Sequence, residues 1–198
     1  MRIAVDFDGV ISDIGWQIVR VLEDVRGVSI LPHEIAYIGM SNLFVVQSSV
    51  LDNLVDSFFD NDRYLLPIPG ALEGCRKLYN EHELFIFTKR FKSFPVKEWL
   101  DRYRFPDMEI RYSRDSLDAL GNRVPLNADL IIDDSPDKIN QALSTVKRAF
   151  LYNQPWNTKS IILDKRVNRV NNWADLLGQL EVWRSQWEKK GSAPATAL

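Results

Sequence analysis

Four short apolar runs, each followed directly by polar side chains, constrain the fold of this chain more than any other feature. The runs are residues 3–5, 84–87, 130–132 and 149–152. None of them alternates apolar with polar positions, a pattern typical of strands buried on both faces of a parallel sheet. Residues 108–112 form a weaker fifth candidate. We therefore expect a parallel sheet rather than a half-exposed antiparallel one.

Helical patterns separate these runs. Apolar residues recur at helical spacing within 72–79, 96–103 and 139–143, and a long stripe of leucines and tryptophans occupies 173–187. Strands that alternate with helices indicate βαβ units with right-handed crossovers. The sequence thus predicts an α/β fold with a doubly wound parallel sheet, in which ligands bind beyond the carboxyl ends of the strands.

One long segment departs from this alternation. It contains no buried-strand candidate but has two amphipathic helical stripes, at 14–25 and 46–58. We interpret it as a small helical cap inserted after the first strand, over the active end of the sheet. The predicted division is a core at 1–13 and 67–190, a helical cap at 14–66 and a flexible tail at 191–198.

The amino-acid composition is that of a globular protein and excludes or disfavours several kinds of binding site. The chain is 45% hydrophobic and 26% charged, which is ordinary globular usage. A net charge of −2 implies no bulk attraction for nucleic acid polymers or anionic membranes. One cysteine and two histidines exclude a cysteine-based zinc site and disfavour a multi-histidine centre. Since no signal-peptide core or membrane-spanning apolar run is present, we expect a cytoplasmic protein.

Carboxylates cluster after two of the runs. Asp6 and Asp8 stand two residues apart, so both side chains can point the same way while Phe7 turns into the core. Two carboxylates that close repel each other unless a cation lies between them, and Mg²⁺ with oxygen ligands meets that need. Asp133 and Asp134 would add carboxylates from a neighbouring strand. The alternative is an aspartate-rich turn in which Asp134 is a helix N-cap.

Residues suited to a phosphate group lie near two of the strand ends. Thr88 offers a hydroxyl and an amide to a phosphate oxygen, and Lys89 opens a basic stretch. Arg123 lies eleven residues before Asp134, in a loop from which it could reach the same phosphate bidentately. The alternatives are a β-branched residue that closes a strand at Thr88 and a solvated positive face for the basic stretch.

Motifs of competing enzyme classes are absent from the sequence. It contains no G-x-x-x-x-G-K-[ST], no G-x-G-x-x-G and no G-x-S-x-G. P-loop NTPases, dinucleotide-binding enzymes and hydrolases with a serine elbow are therefore disfavoured.

The strand-end motifs together carry a family resemblance. Residues 6–10 read Asp-Phe-Asp-Gly-Val, Thr88 follows an apolar strand, and Asp133 and Asp134 form an acidic pair. These resemble the first, second and fourth motifs of the haloacid dehalogenase (HAD) superfamily of phosphotransferases, which have a Rossmann-like core. Within the superfamily the chain is most similar to the 5'(3')-deoxyribonucleotidases. The segments that carry this closer likeness are 67–72, 128–134 and 172–175.

The resemblance implies a role for each strand-end residue. Asp6 would be the nucleophile that forms an aspartyl-phosphate, and Asp8 would protonate the leaving oxygen and then deprotonate water. Mg²⁺ would be held by Asp6, the backbone carbonyl of Asp8 and Asp134, with Asp133 in support. Thr88 would bind the transferring phosphoryl group.

The sequence departs from the family pattern in places. The third motif of the family usually has a lysine where Arg123 stands, and Arg114 in the same connection is a rival for that role. Lys89 replaces a frequent serine after Thr88 and would bring positive charge to the phosphate. Residues of the segment 14–66 would form a pocket for the base, although Ile14 stands where a phenylalanine is common. The pocket candidates are Ile14, Trp16, Tyr37 and Phe44.

Together these features predict a Mg²⁺-dependent phosphomonoesterase of the HAD type, a 5'-nucleotidase that acts on (deoxy)nucleoside monophosphates. Its partner would be a small phosphorylated substrate rather than a nucleic acid polymer or a membrane, and a homodimer is left open. One alternative is a HAD phosphatase for another small phosphate, such as a sugar phosphate. Others are an inactive relative that binds a phospho-ligand and a phospho-acceptor module resembling receiver domains, which lack an insertion after the first strand.

Overall fold

A parallel sheet of six strands forms the centre of the part of the chain that the structure, a computed structural model, describes. That part comprises residues 1–14, 20, 65–90, 95–113 and 125–191, with side chains up to residue 186. The strands are β1 (Arg2–Val5), β2 (Glu83–Thr88), β3 (Glu109–Tyr112), β4 (Leu130–Asp133), β5 (Arg148–Tyr152) and β6 (Val167–Val170). Their order is β3-β2-β1-β4-β5-β6, and every neighbouring pair is parallel.

The doubly wound sheet predicted from the sequence is confirmed. The four apolar runs are β1, β2, β4 and β5, and the weaker candidate is β3. β6 was missed, because its sequence Val-Asn-Arg-Val has no apolar run and it lies at one edge of the sheet. The strand order reverses direction between β1 and β4, which is the place where open α/β sheets bind ligands.

Within the described residues, four α-helices connect the strands or pack on them. They are α1 (Ala71–Glu81), α2 (Val96–Arg102), α3 (Pro136–Ala142) and α4 (Trp173–Gly191). Each coincides with one of the helical patterns predicted from the sequence, although α2 and α3 end one residue before the pattern does. α3 begins with a proline in its first turn and with Ser135 as N-cap, whose side-chain oxygen accepts from the Lys138 backbone N–H at 3.4 Å.

Both faces of the sheet are buried. Ile3 and Val5 of β1 belong to one apolar cluster, whereas Ala4 between them belongs to a second cluster on the opposite face. The same alternation between the two clusters holds in β2, β4 and β5. Consecutive apolar residues are therefore buried on opposite faces of the sheet, which explains why these strands do not alternate apolar with polar positions.

The two flanks of the segment 14–66 lie side by side. The Ile68 N–H donates to the Ile11 carbonyl at 2.8 Å, and the Asp13 N–H donates to the Leu66 carbonyl at 2.9 Å. An inserted cap requires adjacent flanks of this kind. Most of the segment lies outside the described residues, as does 192–198, so the cap and the flexible tail stay predictions.

Two buried tryptophans anchor these flanks to the core. Trp99 donates its indole N–H to the Leu65 carbonyl at 2.8 Å, and Trp173 donates to the Val10 carbonyl at 2.9 Å. Trp173 of α4 also lies against Gly74 of α1, where a β-carbon would overlap the indole ring. Among the described helices none has the length and hydropathy needed to cross a membrane.

Candidate active site

The strand-end residues come together at the reversal point of the sheet. Asp6 directly follows β1, Asp133 ends β4, and Thr88 ends β2 on the other side of β1. The Asp6 backbone N–H donates to the Ile132 carbonyl at 2.9 Å, which continues the β1–β4 pairing into the site. The backbone of the sheet itself therefore holds Asp6 beside Asp133.

Three carboxylates form a tight acidic cluster at this point. Asp6, Asp133 and Asp134 each offer an oxygen, and these oxygens lie within 4.8 Å of one another. Burial is the main cause that raises the pKa of all three groups, and repulsion from neighbouring carboxylates raises each pKa further. Positive charge is therefore needed to keep the cluster ionised.

The cluster fits a hard divalent cation. Asp6 Oδ1 is buried and accepts no hydrogen bond from any described residue. A buried carboxylate oxygen without a donor is costly unless a positive group approaches it. Carboxylate oxygens are the ligands that Mg²⁺ prefers in proteins. Asp6, Asp133 and Asp134 therefore form a set of donors suited to Mg²⁺.

Lys138 supplies one positive charge to the cluster. Its Nζ lies 2.6 Å from Asp6 Oδ2 and 3.2 Å from Asp133 Oδ2, and only 11% of its side chain is exposed. Lys138 stands in the first turn of α3, and helical side chains lean towards the N-terminus of their helix, here towards the end of β4. The sequence analysis missed Lys138. The signal available was a lysine in the first turn after the acidic strand end.

Asp8 has a different cationic neighbour. Arg90 donates from Nε to Asp8 Oδ2 at 2.7 Å and from Nη2 to Oδ1 at 2.6 Å, a bidentate contact. Ser12 adds a hydrogen bond to Oδ1 at 3.0 Å. The sequence analysis placed a cation between Asp6 and Asp8, whereas the Asp8 carboxylate lies against a guanidinium and outside the acidic cluster.

Arg90 was not singled out, because it was counted with the basic stretch that Lys89 opens, for which a solvated face was the alternative. That alternative does not hold for Arg90, whose side chain is 3% exposed and lies over the Phe7 ring at 5.0 Å. Thr88 is buried, and its Oγ1 accepts from the Arg90 N–H at 3.1 Å, which turns the chain after β2. Lys89 between them is exposed.

The remaining predicted site residues are only partly covered by the structure. Ile14 is buried in the larger apolar cluster, with 7% of its surface exposed. Arg123, Trp16, Tyr37 and Phe44 lie outside the described residues. Their assignment to the phosphate site and to the pocket in the cap stays a prediction.

A short turn after β5 supports the acidic cluster. Trp156 donates its indole N–H to Asp134 Oδ2 at 2.7 Å, and Asn157 donates its amide to the Asp134 carbonyl at 2.7 Å. Gln154 donates to the Gly9 carbonyl at 2.7 Å. The sequence analysis assigned no role to this turn, although it follows a strand end like the other clusters.

Gly9 is required by both its backbone and its surroundings. Its φ of +74° lies in the left-handed region, which favours glycine. A β-carbon at this position would collide with the Asp134 carboxylate. The Gly that follows Asp8 therefore allows the first strand end and the fourth to approach each other.

Most of the sequence matches one family of proteins. A family model described as "5' nucleotidase, deoxy (Pyrimidine), cytosolic type C protein" matches residues 1–185. The chain belongs to this 5'-nucleotidase family. The resemblance to the HAD superfamily and its deoxyribonucleotidases is thereby confirmed. Membership of this family supports phosphatase activity. No curated protein matched the sequence.

Several solved structures have the same fold as this member of the 5'-nucleotidase family. A conserved haloacid dehalogenase-like protein from Agrobacterium tumefaciens is 18% identical, with a TM-score of 0.59 over 92% of this chain and 98% of that one. YfnB, a HAD-hydrolase from Bacillus subtilis bound to magnesium, is 16% identical, with a TM-score of 0.56 over 90% and 97%. CbbY from Rhodobacter sphaeroides, in complex with phosphate, is 13% identical, with a TM-score of 0.57 over 89% and 96%. At these identities the likeness concerns the fold.

Proposed function

We propose that the protein is a Mg²⁺-dependent 5'-nucleotidase that hydrolyses (deoxy)nucleoside monophosphates through an aspartyl-phosphate on Asp6. The observation that carries this proposal is the environment of the Asp6 carboxylate at the reversal point of the sheet. One of its oxygens contacts the Lys138 ammonium, and the other is buried without a hydrogen-bond donor among the described residues. A carboxylate in this setting is suited to attack an anionic phosphate.

The proposed reaction has two steps, formation of the aspartyl-phosphate and its hydrolysis. An Asp6 oxygen attacks phosphorus, the ester P–O bond breaks, and Asp8 gives its proton to the leaving oxygen. Asp8 then takes a proton from a water molecule, whose oxygen attacks phosphorus and releases Asp6 with inorganic phosphate. Thr88, at the end of the neighbouring strand, would bind the phosphoryl group, and Lys89 and Arg123 would add positive charge around it.

The acidic cluster would hold the metal ion. Asp6, Asp134 and the backbone carbonyl of Asp8 would be its ligands, with Asp133 in support. Bound Mg²⁺ supplies positive charge that offsets the repulsion between a carboxylate nucleophile and a phosphate. The buried Asp6 oxygen without a donor supports this assignment, as does the magnesium in the structure of YfnB.

A nucleotide substrate is supported by the family match, which spans residues 1–185. The phosphate in the complex of CbbY supports the broader class of small phosphorylated substrates. The contribution of the cap to base recognition, through Trp16, Tyr37 and Phe44 with Ile14, is part of the proposal.

The test is hydrolysis by the purified protein with Mg²⁺ of deoxynucleotides, ribonucleotides, sugar phosphates and p-nitrophenyl phosphate. We expect nucleoside 5'-monophosphates to have the highest kcat/KM. Asp6→Asn is the control, since an amide has a similar shape but is a poor nucleophile, and it should abolish turnover in a folded protein. Intact-mass analysis of quenched wild-type reactions should detect a phosphoryl adduct. Preference for sugar phosphates would overturn the nucleotidase assignment, and no turnover at all would leave an inactive phospho-ligand-binding relative.

A further inference from the structure

We propose that Lys138 is a catalytic residue, which contacts the attacking carboxylate of Asp6 and binds an oxygen of the transferring phosphoryl group. This proposal rests on the proposed function. The principal cation of the site would then be Lys138, in the first turn of the helix after β4, rather than Arg123, in the connection before β4.

The position of the ammonium relative to Asp6 is the first argument. Lys138 Nζ lies 2.6 Å from Asp6 Oδ2. A phosphorus atom about to be attacked by a carboxylate oxygen comes within about 3–3.5 Å of it. The non-bridging oxygens of that phosphoryl group then fall within reach of an ammonium that already touches the attacking group.

The hydrogen-bonding capacity of the ammonium is the second argument. A lysine has three N–H donors. Among the described residues, Asp6 accepts a hydrogen bond from Lys138, and Asp133 forms an ion pair with it at 3.2 Å. Donor capacity therefore remains for a phosphate oxygen while both carboxylate contacts persist.

The fixed placement of Lys138 is the third argument. It stands two residues after the proline that begins α3, and its backbone N–H donates to the N-cap Ser135. Only 11% of its side chain is exposed, so the charge is held in place with little solvent screening. A cation preorganised in this way stabilises charge that develops on a phosphoryl group more effectively than a mobile surface lysine.

The other described basic residues of the site are less suited to this role. Arg90 forms its bidentate contact with Asp8, and Lys89 is exposed. Lys138 is the basic residue in contact with the nucleophile within the described part of the chain. Arg123 lies outside the described residues, so the experiment compares the two positions directly.

The experiment measures binding of inorganic phosphate in the presence of Mg²⁺ by titration calorimetry, together with steady-state kinetics on the best substrate. The variants are Lys138→Gln, Lys138→Arg and the matched Arg123→Gln. Glutamine keeps a donor for Asp6 but lacks the charge, so Lys138→Gln separates the charge from simple packing. We expect phosphate binding to weaken tenfold or more, and kcat/KM to fall by about 10²–10³-fold, as on removal of an oxyanion donor.

Recovery by the conservative variant completes the comparison. Lys138→Arg should regain part of the loss, because the charge returns with a different shape. Arg123→Gln should have the smaller effect on both measurements. Lys138→Gln with wild-type phosphate affinity and kcat/KM would overturn the proposal, and so would a larger loss in Arg123→Gln. Thermal melts of each variant monitor folding, and Lys138→Met, which also lacks the charge, replaces the glutamine variant if that protein is unfolded.

The two proposals fail in different ways. A wild-type protein that hydrolyses no phosphate monoester contradicts the proposed function, while phosphate affinity still decides whether Lys138 binds the anion. A wild-type protein that hydrolyses nucleotides and is matched by Lys138→Gln contradicts only the role of Lys138. Absence of phosphate binding by the wild type contradicts the role of Lys138 as well.

Discussion

Three hydrogen bonds fix the carboxylate of Asp8, two from Arg90 and one from Ser12. A residue that first gives and then takes a proton must reach the leaving oxygen and the water from one position. The planar guanidinium restricts the rotation of the Asp8 carboxylate, because it donates hydrogen bonds to both oxygens at once. Arg90 is therefore a positioning residue for the proposed acid–base group.

Arg90→Met should lower kcat by about 10²-fold, a loss of the size caused by small misplacement of a reacting group. KM should change less, because Arg90 contacts Asp8 rather than the substrate. Arg90→Lys should recover only part of kcat, since an ammonium cannot form the two parallel bonds. Steady-state kinetics check this expectation.

The exposed Lys165 provides the control for Arg90, because it lies before β6 at the amino end of the sheet. Lys165→Met removes a positive charge far from Asp8 and should leave kcat unchanged. Equal kcat values for Arg90→Met and Lys165→Met would show that the hydrogen bonds from Arg90 to Asp8 do not contribute to catalysis.

The placement of residues at strand ends could be predicted from the sequence, and the placement of residues that reach the acidic cluster or Asp8 from elsewhere could not. Asp6, Thr88 and Asp133 directly follow or end apolar runs, so the parallel sheet alone places them at one edge. Lys138 and Arg90 reach the carboxylates through the direction of a helical turn and through burial beneath neighbouring residues. Those factors depend on tertiary packing, so the local sequence offered at most a lysine in the first turn after the acidic strand end and an arginine in a basic stretch.

At the scale of elements, strands buried on both faces were the clearest signal. β1, β2, β4 and β5 consist almost wholly of apolar residues, because each contacts both apolar clusters. β6 has polar residues at its two central positions, since an edge strand has one neighbour and more access to solvent. Its pairing with β5 is a tertiary property, so periodicity could not reveal it.

The contact between α1 and α4 yields a test of packing. Gly74→Ala should lower the free energy of unfolding by about 1–3 kcal/mol, the usual cost of overpacking. The added β-carbon would overlap the ring of Trp173, which is 1% exposed and cannot move aside. Urea denaturation monitored by tryptophan fluorescence measures the change.

Gly178 in α4 is the matched control, because a β-carbon there would have no atom within 4 Å. Gly178→Ala should raise the free energy of unfolding by about 0.5–1 kcal/mol through helix propensity alone. A Gly74→Ala protein as stable as Gly178→Ala would contradict the tight contact with Trp173.

At the scale of the whole molecule, the acidic cluster links metal binding to folding. Asp6 follows β1 and Asp133 ends β4, so their carboxylates come together only in the folded chain. A cation that binds this cluster therefore stabilises the folded state over the unfolded one.

Mg²⁺ at about a hundred times its dissociation constant should stabilise the protein by about 2.7 kcal/mol. For a chain of this size, that corresponds to a rise in Tm of about 5–11 °C relative to excess EDTA. Asp134→Asn should reduce the rise, because it removes a charged ligand. Differential scanning calorimetry with and without Mg²⁺ measures these shifts.

Glu181→Gln is the control for this measurement, because Glu181 is an exposed carboxylate on α4. Its Mg²⁺-dependent rise in Tm should equal that of the wild type. An equal rise in Asp134→Asn would place the stabilising ion elsewhere on the protein.

The central position of β1 has a consequence for how the chain is made. β1 lies between β2 and β4, and Arg2, at its start, is 127 positions from Asp129, to which it donates a hydrogen bond. Ribosomes add about 5–20 residues per second, so roughly 6–25 s separate the synthesis of these two strands. During that interval one edge of β1 has no neighbour. The acidic cluster can therefore be completed only after translation has reached β4. A nascent chain that stalls before β4 presents an unpaired apolar strand to chaperones.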